Sequence, residues 1–155
     1  MTDQYALCLD AYKTQLRTLA ASYFPAIDGK AAGWQVSEND TEIYNGGEYF
    51  VILKPGTFSN QRQGLNTVNE WHVTSVLYAR YFEYDTAWSR FRAFRSDILA
   101  LPDTAPLTTN GIYGQEFASQ EQAGYLVDDQ GRYTNFVVQT LDCTIRQRVK
   151  VARAF

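Results

Sequence analysis

The chain has little of what most catalytic and metal sites are made from. Its 155 residues include one histidine and two cysteines. Zinc sites take three or four Cys, His or carboxylate ligands, commonly with closely spaced pairs. Cys8 and Cys143 stand far apart, and neither has a Cys or His neighbour. They could meet in space, but the N-terminus carries no secretory leader, so a reducing cytoplasm and two buried free thiols are expected. Patterns of the G-x-G-x-x-G, P-loop and G-x-S-x-G kinds are missing. The single His72 sits beside Trp71 with no Ser or Cys partner near it, which predicts a strand histidine at the surface or at a subunit contact rather than a general base. No run approaches the ~20 apolar residues of a membrane span, so a soluble protein is expected. A basic excess is also lacking. The formal net charge is -3, unlike proteins that wrap nucleic acid.

What is present is a globular composition. Apolar residues make up 45% and aromatics 15%, with 11 Tyr. A chain of this length makes one domain, 1–155, with a core of its own. Tyrosine packs its ring while its hydroxyl reaches a partner, so the excess points to half-buried surfaces or subunit contacts.

Periodicity gives the elements. Tyr5, Leu9, Tyr12, Leu16, Leu19 and Tyr23 recur at helical spacing, with Asp3 placed as an N-cap and Pro25 as a stop. Trp34 and Val36 suggest a short edge element. Tyr49–Lys54 is rich in β-branched and aromatic residues and predicts a strand stopped by Pro55-Gly56. The polar stretch 55–69 predicts a long protruding loop. Glu70–Glu83 alternates as a strand with Trp71, Val73 and Leu77 on one face. Asp85 then caps a helix to about Leu101, with Phe91, Phe94 and Ile98 in its apolar stripe and Pro102 as its end. A second polar connection, 103–121, leads to a strand at Gly124–Val127 and turn chemistry at Asp128–Gly131. The last strand runs from Tyr133 to Val151. It has Leu141, Cys143 and Ile145 on one face and Asp142, Thr144, Arg146, Arg148 and Lys150 on the other. The expected fold is α+β, a two-layer sandwich with about four mostly antiparallel strands covered on one face by two helices. Its core would hold Leu16, Phe91, Phe94, Ile98, Leu141 and Ile145.

Charge suggests an interface rather than an active site. Arg146, Arg148 and Lys150 project from one strand face, and Arg153 follows. Arg62 stands in the 55–69 stretch. Glu38, Asp40 and Glu42 form an acidic alternation that a neighbouring copy could set against the basic row. DNA phosphates are the other partner such a row would take. The same acids could instead hold a hard cation or simply be solvated, and the basic row could be a solvated face. Neither a catalytic residue, nor a metal ligand set, nor a cofactor site is assigned.

The order of parts resembles the bacteriophage tail-terminator proteins of long-tailed phages, the gpU-like family. That family has an N-terminal helix, a strand with a long loop, a long strand opening near a Trp, a helix closing at a Pro, and a final hairpin. The local likeness is strongest around Trp71 and in Gly124-Tyr125 followed by Asp128-Asp129 and Gly131. Head–tail completion proteins of phage necks share this layout. The resemblance implies a structural virion protein and no enzyme. It would be a late product of the host cytoplasm, forming a homohexameric ring at the head-proximal end of the tail tube. The ring would stop tube polymerisation, meet the tail tube protein and the head connector, and let DNA pass through its lumen without sequence-specific binding. A monomeric adaptor or binding module and a small-ligand enzyme on the same sandwich are the alternatives.

Overall fold

The computed structural model describes residues 3–23, 34–37, 49–80, 84–118, 124–127, 130 and 133–150. Helix α1 spans Gln4–Tyr23. Its start is fixed by Asp3, whose Oδ1 accepts a hydrogen bond from the Ala6 N–H at 3.1 Å, the ordinary work of an N-cap. Strand β1 (Trp34–Ser37) runs parallel to β2 (Tyr49–Gln63). Strand β3 (Asn66–Arg80) returns antiparallel to β2. Helix α2 (Tyr84–Leu99) opens one residue ahead of Asp85. It stops at Leu99 because a new turn, α3 (Leu101–Thr104), begins with Pro102 in its first turn, where a missing N–H costs nothing. Strands β4 (Ile112–Ala118), β5 (Gly124–Val127) and β6 (Tyr133–Lys150) complete the order.

The fold is α+β. The strands form one six-stranded sheet in the order β1-β2-β3-β6-β4, with β5 also on β6, rather than about four strands. The members beyond four are β1, the short edge element suggested by Trp34 and Val36, and β4, which lies within the expected connection 103–121. Because β3 occupies one edge of β6 from Asn66↔Lys150 to Arg80↔Phe136, β4 and β5 share its other edge at different heights. Three strands of 15, 15 and 18 residues therefore make a blade about 50 Å long at ~3.3 Å per residue.

The stretch 55–69 is not a loop. It is the outer half of the β2–β3 hairpin, closed by Gly64-Leu65 between Gln63 and Asn66. Gly64 has φ +61° and Leu65 does not share the positive φ, the pattern of a type II′ turn. Residues 54–65 are exposed, so water meets both faces of β2 here and no apolar alternation is needed to hold it as strand. The hairpin contains one bulge, between Pro55 and Phe58. Gly56 sits at it because a Cβ there would lie 2.7 Å from the His72 carbonyl oxygen. The expected loop 103–121 likewise contains β4. That strand is launched by a tight turn at Thr109–Ile112, where Asn110 (φ 56°) and Gly111 (φ 77°) both take positive φ and the Ile112 N–H reaches the Thr109 carbonyl.

One apolar cluster joins helices and sheet. It contains Leu9, Tyr12 and Leu16 of α1, Phe94 and Ile98 of α2, and Leu77, Leu141, Cys143 and Ile145 of the sheet. Leu16, Phe94, Ile98, Leu141 and Ile145 are all buried. Phe91 lies in α2, but its side chain is outside the described residues. The Tyr12 and Ser75 hydroxyls share a buried hydrogen bond of 2.7 Å, which ties the middle of α1 to β3. Ile52 and Val76, paired across β2 and β3, are buried outside that cluster.

Candidate functional site

Among the described residues, three places stand out: two polar networks and a largely apolar groove. The first is the charged ladder on β3, β6 and β4. Glu70 faces Arg146 across the sheet, and His72 faces Thr144 on the next rung. Arg146 NH1 lies 2.8 Å from Glu116 Oε1 and its Nε lies 3.5 Å from Glu70 Oε2. The other Glu70 oxygen, Oε1, is 3.2 Å from His72 Nε2, and His72 Nδ1 is 3.1 Å from Thr144 Oγ1. Thr74 donates to Asp142 at 3.3 Å one rung further on. The hydrogen bond to Glu116 holds the Arg146 guanidinium above its usual pKa; burial opposes it, and the charges of Glu116 and Glu70 add to it.

Arg146 already has two carboxylates of its own chain, because β3 and β4 place acids beside it that lie 76 and 30 positions away in sequence. Arg148 is exposed and its guanidinium stands 5.1 Å over the Tyr113 ring, a cation–π contact. Lys150 is exposed on the last rung opposite Asn66, and Arg62 is exposed near the hairpin tip opposite Thr67. Arg153, Glu38, Asp40 and Glu42 lie outside the described residues, as do Asp128 and Asp129. The hydroxyl, imidazole and carboxylate of Thr144, His72 and Glu70 have the connectivity of a nucleophile–base relay. Glu70 is at the same time the counter-ion of Arg146, so its charge is shared.

The second place is a buried amide layer that hydrophobic patterning does not reveal. Gln147 is fully buried. Its Oε1 accepts from Asn69 Nδ2 and Trp71 Nε1, both at 3.1 Å. Its Nε2 donates to Gln4 Oε1 at 2.8 Å and to the Asn110 carbonyl at 2.9 Å. Gln15 and Gln115 exchange hydrogen bonds at 3.0 and 2.8 Å, and Gln15 also donates to the Ala105 carbonyl. These bonds pin α1, the 105–110 segment, β3, β4 and β6 to one another. The signal in the sequence is parity: Gln147 alternates in step with Leu141, Cys143 and Ile145. Cys143 also receives a weak bond from Gln115 at 3.7 Å. Burial pushes its thiol up to about 12 and the Cys8 thiol up to about 11, so both are protonated, free and buried.

The third place is a groove of about 820 Å³ between α1 and the 101–110 segment. Leu7, Ala11, Leu19, Leu101 and Leu107 line it, with Asp10 as its charged group.

Among the described residues, no three His, Cys, Asp or Glu side chains come together as a metal-holding group. No helix among them is long and apolar enough to cross a membrane. Large exposed apolar side chains are found at Phe58, Leu65 and Tyr113, on β2, the hairpin tip and β4. Phe58 stacks on Trp71 at 5.0 Å, and Tyr5 meets the same indole edge-on at 5.2 Å. No protein-family model and no curated protein matches this chain.

Proposed function

We propose that this protein is a structural subunit of the tail-terminator kind. Copies assemble as a ring, hexameric by the resemblance, at the head-proximal end of a phage tail tube. The ring stops tube growth and joins the head connector, and DNA passes through its lumen. In this reading the subunit is a two-layer sandwich with α1 and α2 on one face of the sheet, and it works in the virion rather than as an enzyme. The observation that carries it is the outer half of the blade. Residues 54–65 project into solvent as regular strand and turn, with Phe58 and Leu65 exposed on them. A regular strand with an open edge and exposed apolar side chains offers another chain a surface to pair with and cover.

The test is assembly. The purified chain is expected to show a native mass several times 17.7 kDa, alone or on addition of tail tubes, and to cap tubes at one end in electron micrographs. A strict monomer that leaves tube growth unchanged would overturn this function. The groove beside α1 favours a small-ligand protein as the second reading, which predicts a monomer or dimer with saturable binding there.

A further inference from the structure

The two open edges of the sheet are made to fit each other. The register fixes their heights. Phe58 on β2 stands level with Trp71, then Ile145, then Gln115 on β4. Asn60 stands level with Asn69, Gln147 and Ile112, and Lys54 with Thr74, Asp142 and Ala118. So β4 lies at the same height as residues 54–60 of β2, on the opposite side of the sheet. Polarity follows from the three antiparallel pairings between them: β4 runs opposite to β2. Strand β1 covers β2 only as far as Ser37↔Ile52. Beyond it, nothing among the described residues pairs with the outer edge of Phe58–Gln63, and nothing among them pairs with the outer edge of β4. The large exposed apolar residues Phe58, Leu65 and Tyr113 lie on these two edges or at the tip between the strands.

We infer that β4 of one copy adds antiparallel to the outer edge of β2 in the next copy, so that the sheet continues across subunits. This rests on the assembly reading above and names its interface. An edge strand offers unpaired N–H and C=O groups in a row; at the same height β4 of opposite polarity meets Phe58–Asn60 without tilting either subunit, and a shift of two residues toward the tip extends the pairing along Gln61–Gln63. The faces agree as well. Phe58 and Gln115 both lie on the face that carries Trp71 and Ile145, so Phe58 comes beside Gln115 with Phe117 on the diagonal, within reach of an aromatic ring. Pro55 and the bulge at Gly56 limit the pairing on the side toward β1. Because β2 and β4 are different edges, the contact is head-to-tail. A contact of that kind generates a ring where the rotation closes, whereas a self-complementary edge would stop at a dimer.

Paired cysteines test this. Ser59 and Gly114 stand on the same rung, and within one copy they are separated by three strand spacings, about 14 Å, well beyond disulfide reach. A Cβ at Gly114 would meet the Arg146 side chain at 3.5 Å, an ordinary contact, so Gly114→Cys is expected to fold. The variant Ser59→Cys with Gly114→Cys, and the alternative Gln61→Cys with Gly114→Cys, are oxidised under native conditions and run without reductant. At least one is expected to give a ladder at multiples of 17.7 kDa, while each single variant stays at the monomer position. As a check independent of substitution, amide exchange in residues 58–63 of the wild-type chain is expected to slow on assembly. A covalent dimer from Ser59→Cys alone would overturn the inference in favour of β2 pairing with itself. A native ring that neither cross-links nor protects 58–63 would overturn it while leaving the assembly reading intact. A strict monomer that ignores tail tubes would overturn both.

Discussion

Gln147 is the residue on which most separate parts of this protein converge. Its four hydrogen bonds tie β6 to Asn69 and Trp71 of β3, to Gln4 of α1 and to Asn110 of the turn before β4. Replacing it by leucine keeps the bulk and removes every bond. Each buried partner left unpaired costs roughly 1–3 kcal/mol. Gln147→Leu is therefore expected to lower the urea midpoint sharply, with a change in Trp71 fluorescence, because the indole N–H loses its acceptor. Gln61→Leu, on the exposed hairpin, is expected to change stability by less than about 0.5 kcal/mol. Equal midpoints for the two variants would show that the amide layer does not hold the elements together. Alternation along β6 already places Gln147 on the buried face; polarity alone assigns it to water. What the sequence does not carry is the set of partners, which comes from residues 37 to 143 positions away.

The two thiols give a second expectation at this scale. Their folded pKa values, about 11 for Cys8 and about 12 for Cys143, lie above the ordinary 9.0 because burial disfavours the thiolate. In the unfolded chain both ionise near pH 9, and in the folded chain they cannot. Their contribution is thus fully present below pH 9 and is lost as pH rises toward 11 and 12, by up to about 1.4 kcal/mol per thiol per pH unit. Chemical denaturation at pH 8 and pH 10.5 measures it. At pH 8 a thiol reagent is expected to label neither cysteine until the protein is unfolded. Rapid labelling of the native chain would contradict the burial of both.

Among the elements, the Asn110-Gly111 turn has the narrowest tolerance. Gly111 has positive φ, its carbonyl accepts the Arg148 N–H, and a Cβ on it would lie 2.2 Å from the Arg148 carbonyl oxygen. Gly111→Ala therefore combines backbone strain of about 1–3 kcal/mol with a steric conflict against β6. It is expected to lower the melting temperature and loosen β4, whereas Gly114→Ala, with ordinary contacts, is expected to leave both nearly unchanged. Matching melting curves for the two would show that the turn adapts.

The elements differ in how plainly the sequence announces them. α1, β5 and β6 follow from their periods, because each has one face that its neighbours must bury or a clear turn at its end. The outer half of the β2–β3 hairpin does not, since a strand wet on both faces carries no apolar alternation and its Gly64-Leu65 turn is a short signal inside a polar run. The bulge at Gly56 hides it further. Odd residues of β2 face the core before the bulge, and even residues such as Phe58 take that side after it. The pairing of Arg146 with Glu70 and Glu116 is invisible for a different reason. Charge along one strand gives a row, and only the register of three strands shows which charges are already neutralised.

At the scale of the whole molecule, β6 joins the sheet together. It carries β3 along one edge and β4 and β5 along the other, so its removal would leave β1–β3 as a separate ribbon. That position has a kinetic consequence. The β3–β6 ladder joins residues 84 positions apart at Asn66↔Lys150 and 56 apart at Arg80↔Phe136. Each rung closes a long loop before it gains anything, so folding is expected to be slow for a chain of this size, on the millisecond-to-second scale of non-local β topologies. During synthesis the β2–β3 hairpin emerges well before the strand that will pair with it. For that interval its inner edge is open, and it is flanked by Val73, Val76 and Leu77, which later become buried. The polar run Ser59–Gln63 on one arm and Asn66–Thr67 on the other is then the hairpin's protection against sticking to other nascent chains.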